Sequence, residues 1–162
     1  MASWNSARHR ARQLTALSSL ERRTLLQAAA LLPLATLGRR VRSYRQIRSM
    51  LIALLPPRLD APAGEPSHAE RIAQMVQIAA GRSLLRPSCL DRSLVLWALL
   101  RRNGNDADLR IGVRKNGENF EAHAWVELDG RVLNDADSVG QHYAAFSAPL
   151  PEQTVWTEGA HD

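Results

Sequence analysis

The stretch CLDRSLVLWALLRRNG, Cys89 to Gly104, holds the one cysteine of a 162-residue chain and places it just ahead of an apolar run. Ser88 in front of it suits a helix cap, with Asp91 at the third helical position. Leu90, Leu94, Trp97 and Leu100 recur at helical spacing, and Asn103-Gly104 supplies a stop. Cys89 then falls on the first helical residue. A helix start offers unpaired N–H groups and the positive end of a dipole, which suit a thiolate and, later, an oxyanion. A single cysteine is just as readily a small buried hydrophobe. The rest of the chain has to decide between the two.

Composition narrows the field. Apolar residues make up 45% and charged residues 23%, enough for a packed core and unlike a disordered chain. With a single cysteine no internal disulfide forms and no cysteine-based metal site exists, and the five histidines lack ligand spacing. No metal and no cofactor are expected, and a reducing cytoplasm fits best. The net charge of +5 is unevenly spread. Residues 1–60 carry 11 Arg against Glu21 and Asp60, whereas residues 61–162 carry 10 Lys/Arg against 14 Asp/Glu. A basic front half suggests an acidic partner, a nucleic acid or a membrane surface. The longest apolar stretch, Leu25 to Gly38, is short of the roughly 20 residues of a bilayer span and contains Gln27 and Pro33. Stable membrane insertion is therefore not expected.

Working outward, residues 1–11 read as a basic tail. A helix follows, capped at Ser18 or Ser19, with Leu25, Leu26, Ala29 and Leu32 on its apolar face, Pro33 as a kink or break and Gly38 as its stop. A second helix from Arg39 carries Val41, Tyr44, Ile47 and Leu51 on one face and ends at Pro56-Pro57. Its arginines, Arg39 to Arg48, form either a solvated face or a docking surface. Residues 56–67 are rich in Pro and Gly and read as a linker. Ser67 and Glu70 make a capping-box pattern for a third helix, striped by Ile72, Met75, Val76 and Ala79. The expected organisation is a basic helical region over 1–60, a core over 61–150 and a tail over 151–162.

Beyond Gly104 the period becomes alternating. ADLRIGVRK, NFEAHAWVEL and RVLNDAD are strand candidates, the last two joined across Asp129-Gly130, and VGQHYAAFSAP suits a helical turn or short strand. A two-residue turn would set His123 opposite Ala136. A three-residue loop from Leu128 to Gly130 instead sets Glu127 opposite Arg131, Trp125 opposite Leu133 and His123 opposite Asp135. The second register joins opposite charges and is the one expected. It also puts a carboxylate beside an imidazole. His123 can then serve Cys89 as general base and acid, with Asp135 orienting the ring. Asp137, on the same face, is the rival to Asp135. Trp125 is expected to pack beside the site, with contact to substrate as an additional role. His9, His68, His142 and His161 read as surface residues. Neither Gln74 nor Gln77 has a defensible place as a second oxyanion donor.

CLDRSLVLWALLRRNGNDADLRIGV followed by FEAHAWVELDGRVLND resembles the transglutaminase-like cysteine peptidases of lasso-peptide biosynthesis. The likeness covers residues 67–147 most strongly, and the two blocks together carry it. It implies an α+β fold in which a helical N-terminal region precedes a papain-like/transglutaminase-like core, the cysteine helix packed on an antiparallel sheet. It implies removal of the leader from a ribosomal precursor peptide, with Cys89 as nucleophile, His123 as base and Asp135 as orienting acid. A separate ATP-dependent cyclase then closes the core peptide. Residues before 67 show no winged-helix-like leader-recognition pattern, so a separate recognition protein is expected.

Two other readings keep their place. Acyl transfer to an amine passes through the same thioester. A catalytically inactive peptide- or nucleic-acid-binding module would use the basic helices, but they lack a DNA-reading motif and interleaved aromatics, so nucleic acid is not the expected partner.

Overall fold

Three serines set the helix starts. The structure, a computed structural model, describes residues 17–58, 66–116 and 119–145. Helices α1 (Ser19–Gly38), α2 (Tyr44–Leu54) and α4 (Cys89–Arg102) each open on a capping box, Ser18 with Glu21, Ser43 with Gln46 and Ser88 with Asp91. Each box satisfies two otherwise unpaired N–H groups and contributes on the order of 1 kcal/mol. The Ser43 box explains why α2 starts later than the arginine run suggested and leaves Val41 82% exposed, off the apolar face assigned to it. Helix α3 (Pro66–Gly81) starts one residue before Ser67, with proline in the first helical position where its missing N–H costs nothing. The stripe Ile72, Met75, Val76 and Ala79 is buried.

Helix α1 runs unbroken through Pro33 and buries Thr24, Ala28, Leu31, Leu32 and Ala35. Leu26 is exposed, so the buried face is rotated from the expected one. The segment is apolar almost all round, and its packing against α3 and α4 selects the face. Helix α4 is the centre of the molecule, with Asp91 and every residue from Ser93 to Leu100 buried. One hydrophobic cluster takes in Leu32 and Ala35 of α1, Ile47 and Leu51 of α2, Ile72 and Val76 of α3, Leu94 to Leu100 of α4 and Val126 of the sheet. Residues on both sides of the Pro/Gly-rich segment thus share one core. The Arg48 guanidinium lies 4.6 Å from the ring centre of Trp97, a cation–π contact of α2 on α4. Residues 59–65, in the middle of the expected linker, and the two tails lie outside the described residues.

The sheet follows as β1 (Asp108–Asn116), β2 (Asn119–Leu128), β3 (Arg131–Val132) and β4 (Ala144–Ala145), with a short helix α5 (Val139–His142) before the last strand. Its order is β3-β2-β1-β4 and every pairing is antiparallel. The fold is α+β, as the sequence led us to expect. Among the described residues, no helix is long and apolar enough to cross a membrane.

The β2–β3 register departs from expectation. Leu128 pairs with Arg131 and Glu127 with Val132, the register of the two-residue turn. Asp129 and Gly130 both take positive φ, 50° and 79°, as a type I′ turn demands. This twist suits the flanking strands better than the three-residue loop, and it outweighs the charge pair that loop would have made. Glu127 instead meets Arg110, and Arg131 reaches Glu70 on α3.

Nothing lies within 4 Å of a Cβ added at Gly130, so Gly130→Ala isolates the conformational cost of the turn. It should lower stability by about 1 kcal/mol, read from urea denaturation midpoints.

Candidate active site

Cys89 is half buried at the first position of α4. The cap ahead of it is tied to α1. The carboxylate of Asp91, only 1% exposed, accepts from Arg39 Nε at 2.5 Å, from the Ser88 N–H and hydroxyl at 2.9 Å each and from Thr36 Oγ1 at 3.4 Å. Arg39 Nη2 also donates to Ser88 Oγ at 3.1 Å. A buried carboxylate is tolerated when so surrounded. The end of α1 thereby fixes the start of the helix that bears the thiol. The Ser88 hydroxyl accepts from the Asp91 N–H, and the first N–H groups of a helix have no intrahelical partner.

His123 lies on β2, and its Nε2 stands 2.5 Å from Asp135 Oδ2. Asp135 also accepts from the Ala136 N–H through Oδ1. A proton on Nε2 shared with the carboxylate leaves Nδ1 with the lone pair. Asp137 is exposed and makes no hydrogen bond to the imidazole. The thiol and the imidazole are not hydrogen-bonded to each other; such contacts commonly tighten only once substrate is bound. Ser93, one turn along α4 from Cys89, donates its hydroxyl to the carbonyl of Ala124, the residue after His123, at 2.9 Å.

The contact between His123 and Asp135 is not a cross-strand pair. In the observed register the ladder runs out after the Leu133 N–H donates to the Val126 carbonyl. The chain then turns away, and the Val126 N–H donates to the Asn134 side chain, Oδ1, at 2.8 Å. Asn134 Nδ2 donates to Ser93 Oγ at 2.8 Å, and the Asn134 carbonyl accepts from Gln77 Nε2 at 3.0 Å. Leaving the ladder is what brings Asp135 to the ring.

Packing holds the ring from two further sides. Trp125 stacks beside the imidazole with centroids 6.2 Å apart, and Tyr143 lies 5.1 Å away. Trp125 is 0% exposed, and its Nε1 donates to Glu127 Oε1. It is thus enclosed beside the imidazole. Arg114 sits 4.8 Å from the Tyr143 ring centre and pairs with Glu121. Hydrogen bonds from Asn116 and then Arg114 hold the Glu121 carboxyl below its ordinary value. Gly112, opposite His123 across β1–β2, makes room for this shelf. A Cβ there would come within 2.9 Å of Trp125 Cη2 and 3.0 Å of Tyr143 Cβ.

Sequence reasoning missed Arg39, Gly112, Asn134 and Tyr143, and found no place for Gln77. Two signals were present: a polar residue, Ser93, one turn from the cysteine in an apolar helix, and a glycine inside a strand, which marks close approach. His68, read as a surface residue, is half buried, whereas His142 is exposed. Among the described residues no cluster of His, Cys, Asp or Glu has the arrangement of a metal site.

The capped helix that carries Cys89 and the antiparallel sheet that carries the His123–Asp135 pair both lie within the segment that a family model matches. The chain belongs to the transglutaminase-like superfamily, whose model matches residues 28–148. It is also similar to the microcin J25-processing protein McjB of Escherichia coli, with 39% identity over 57 residues, 35% of this chain and 26% of McjB. The matched segment thus spans about a quarter of that relative's length. No solved structure matches the chain.

Arg39→Ala leaves the Asp91 carboxylate buried without its counter-charge and should cost about 2 kcal/mol, measured by thermal denaturation against wild type. Gly112→Ala overpacks the aromatic shelf and should cost about 1–3 kcal/mol; the His123 ring resonances should shift with it, a change NMR can follow.

Proposed function

We propose that this protein is a cysteine peptidase that removes the leader from a ribosomally made lasso-peptide precursor. The observation that carries the reading is the 2.5 Å contact of His123 Nε2 with Asp135 Oδ2, beside a helix that begins at the single cysteine. Family membership and the similarity to a protein named for processing microcin J25 support the substrate class.

In this reading His123 Nδ1 takes the proton of the Cys89 thiol. The thiolate attacks the carbonyl that joins leader to core, and the N–H groups at the start of α4 hold the oxyanion. Collapse breaks the C–N bond. The imidazolium gives its proton to the departing amine, which is the new N-terminus of the core peptide. Water, deprotonated by the same ring, then hydrolyses the leader thioester, releasing the leader as a carboxylate and restoring the thiol. Asp135 keeps Nε2 protonated and the ring in place through both steps. A separate protein delivers the leader, a cyclase receives the freed core, and the work is done in the cytoplasm. Residues 61–150 form the peptidase core in this proposal, and the basic helices of 1–60 steady it and meet partners.

Leader release from a precursor peptide, followed by mass spectrometry in the presence of the recognition protein, tests this. Cys89→Ala and His123→Ala should abolish release while circular dichroism stays native, and Asp135→Asn should slow it by about 100-fold or more. Release by purified Cys89→Ala protein would refute the reading. Incorporation of a primary amine without free leader would redirect it to acyl transfer.

A further inference from the structure

Four polar groups form a chain between the elements that carry the three reactive residues. The Ser93 hydroxyl donates to the Ala124 carbonyl and accepts from Asn134 Nδ2, and Asn134 Oδ1 accepts from the Val126 N–H. Ser93 stands one helical turn from Cys89, Ala124 is next to His123, and Asn134 is next to Asp135. Ser93 is fully buried. Each bond therefore sets a spacing between two of the three reactive residues, while touching none of them.

We propose that Ser93 and Asn134 are positioning residues that set the His123–Asp135 pair at its working distance from Cys89. The proposal rests on the catalytic assignment above. Its logic lies in the broken ladder. Beyond Leu133 no main chain holds the segment to β2, and the Asn134 amide replaces a strand's peptide group there. It accepts one N–H directly and meets the neighbouring carbonyl through Ser93. Gln77 holds the main-chain carbonyl of the same residue, so Asn134 is fixed at both ends. With the amide gone, the Gln77 bond to the main-chain carbonyl of residue 134 and the local bond to the Ala136 N–H remain, but neither ties the segment to β2 or α4, and the imidazole loses its fixed partner.

The test is a double-mutant cycle with a substrate-free readout. Cys89 is the single thiol, so its alkylation by iodoacetamide at neutral pH reports its coupling to the imidazole. The quantity is the ratio of the rate with His123 present to the rate with His123→Ala, taken well below the melting transition. Wild type should give a ratio of about tenfold or more. In Asn134→Ala and in Ser93→Ala the ratio should fall to within about twofold of one. A residue that merely stabilises the fold changes both rates alike and leaves the ratio where it was. An unchanged ratio in both folded variants overturns the positioning role and leaves the catalytic assignment standing. A ratio of one in wild type overturns the assignment and the positioning role with it. Should Asn134→Ala fail to fold, Asn134→Asp keeps the acceptor for Val126 and loses the donor to Ser93. Its ratio should lie between those of wild type and Ser93→Ala, and a wild-type value in both Asn134→Asp and Ser93→Ala overturns the proposal.

Discussion

A carboxylate almost sealed from water, that of Asp91, determines where the thiol of this protein stands. It closes the capping box of the cysteine helix and receives the Arg39 guanidinium from the end of α1. A charge buried to this degree is stable only with its partners in place. The two helix ends are thus committed to one relative position, and the core forms around that commitment. The consequence reaches the basic front part of the chain. Arg39 and Arg48, which read in sequence as members of a solvated or docking face, make specific contacts with α4.

The second commitment is made at the sheet. A type I′ turn dictates the register, and that register would leave Asp135 off the His123 position if the ladder continued. Because the ladder stops, a side chain takes over from main chain, and the carboxylate swings to the ring. The His–Asp pair is therefore a product of tertiary packing among α3, α4 and β2. It cannot be read from strand alternation alone.

This difference marks what was legible in the sequence. The start of α4 was legible to the residue, because a cap, its acidic partner and a helical repeat are local signals. The extent of β2 was legible for the same reason. The pairing of His123 with Asp135 was anticipated from a register that the protein does not adopt. Cross-strand charge pairing favoured one loop length, and backbone twist at Asp129-Gly130 favoured another. Arg39 and Asp91 are 52 positions apart, and Ser93 and Asn134 are 41 apart. No spacing rule joins residues so distant. The buried face of α1 was misjudged because a helix apolar on most sides leaves the choice to its neighbours.

The Asn134–Ser93 bridge also has a meaning for the sheet as a solubility problem. A strand whose outer N–H and C=O groups are left bare is a template on which another extended chain can grow, the route to edge-to-edge aggregation. Past the short β3, the outer rim of β2 would be such a template. The Val126 N–H and the Ala124 carbonyl are both occupied by side chains from within the molecule. At these two groups the rim is closed to a foreign strand, and that protection comes from an asparagine and a serine without a further strand.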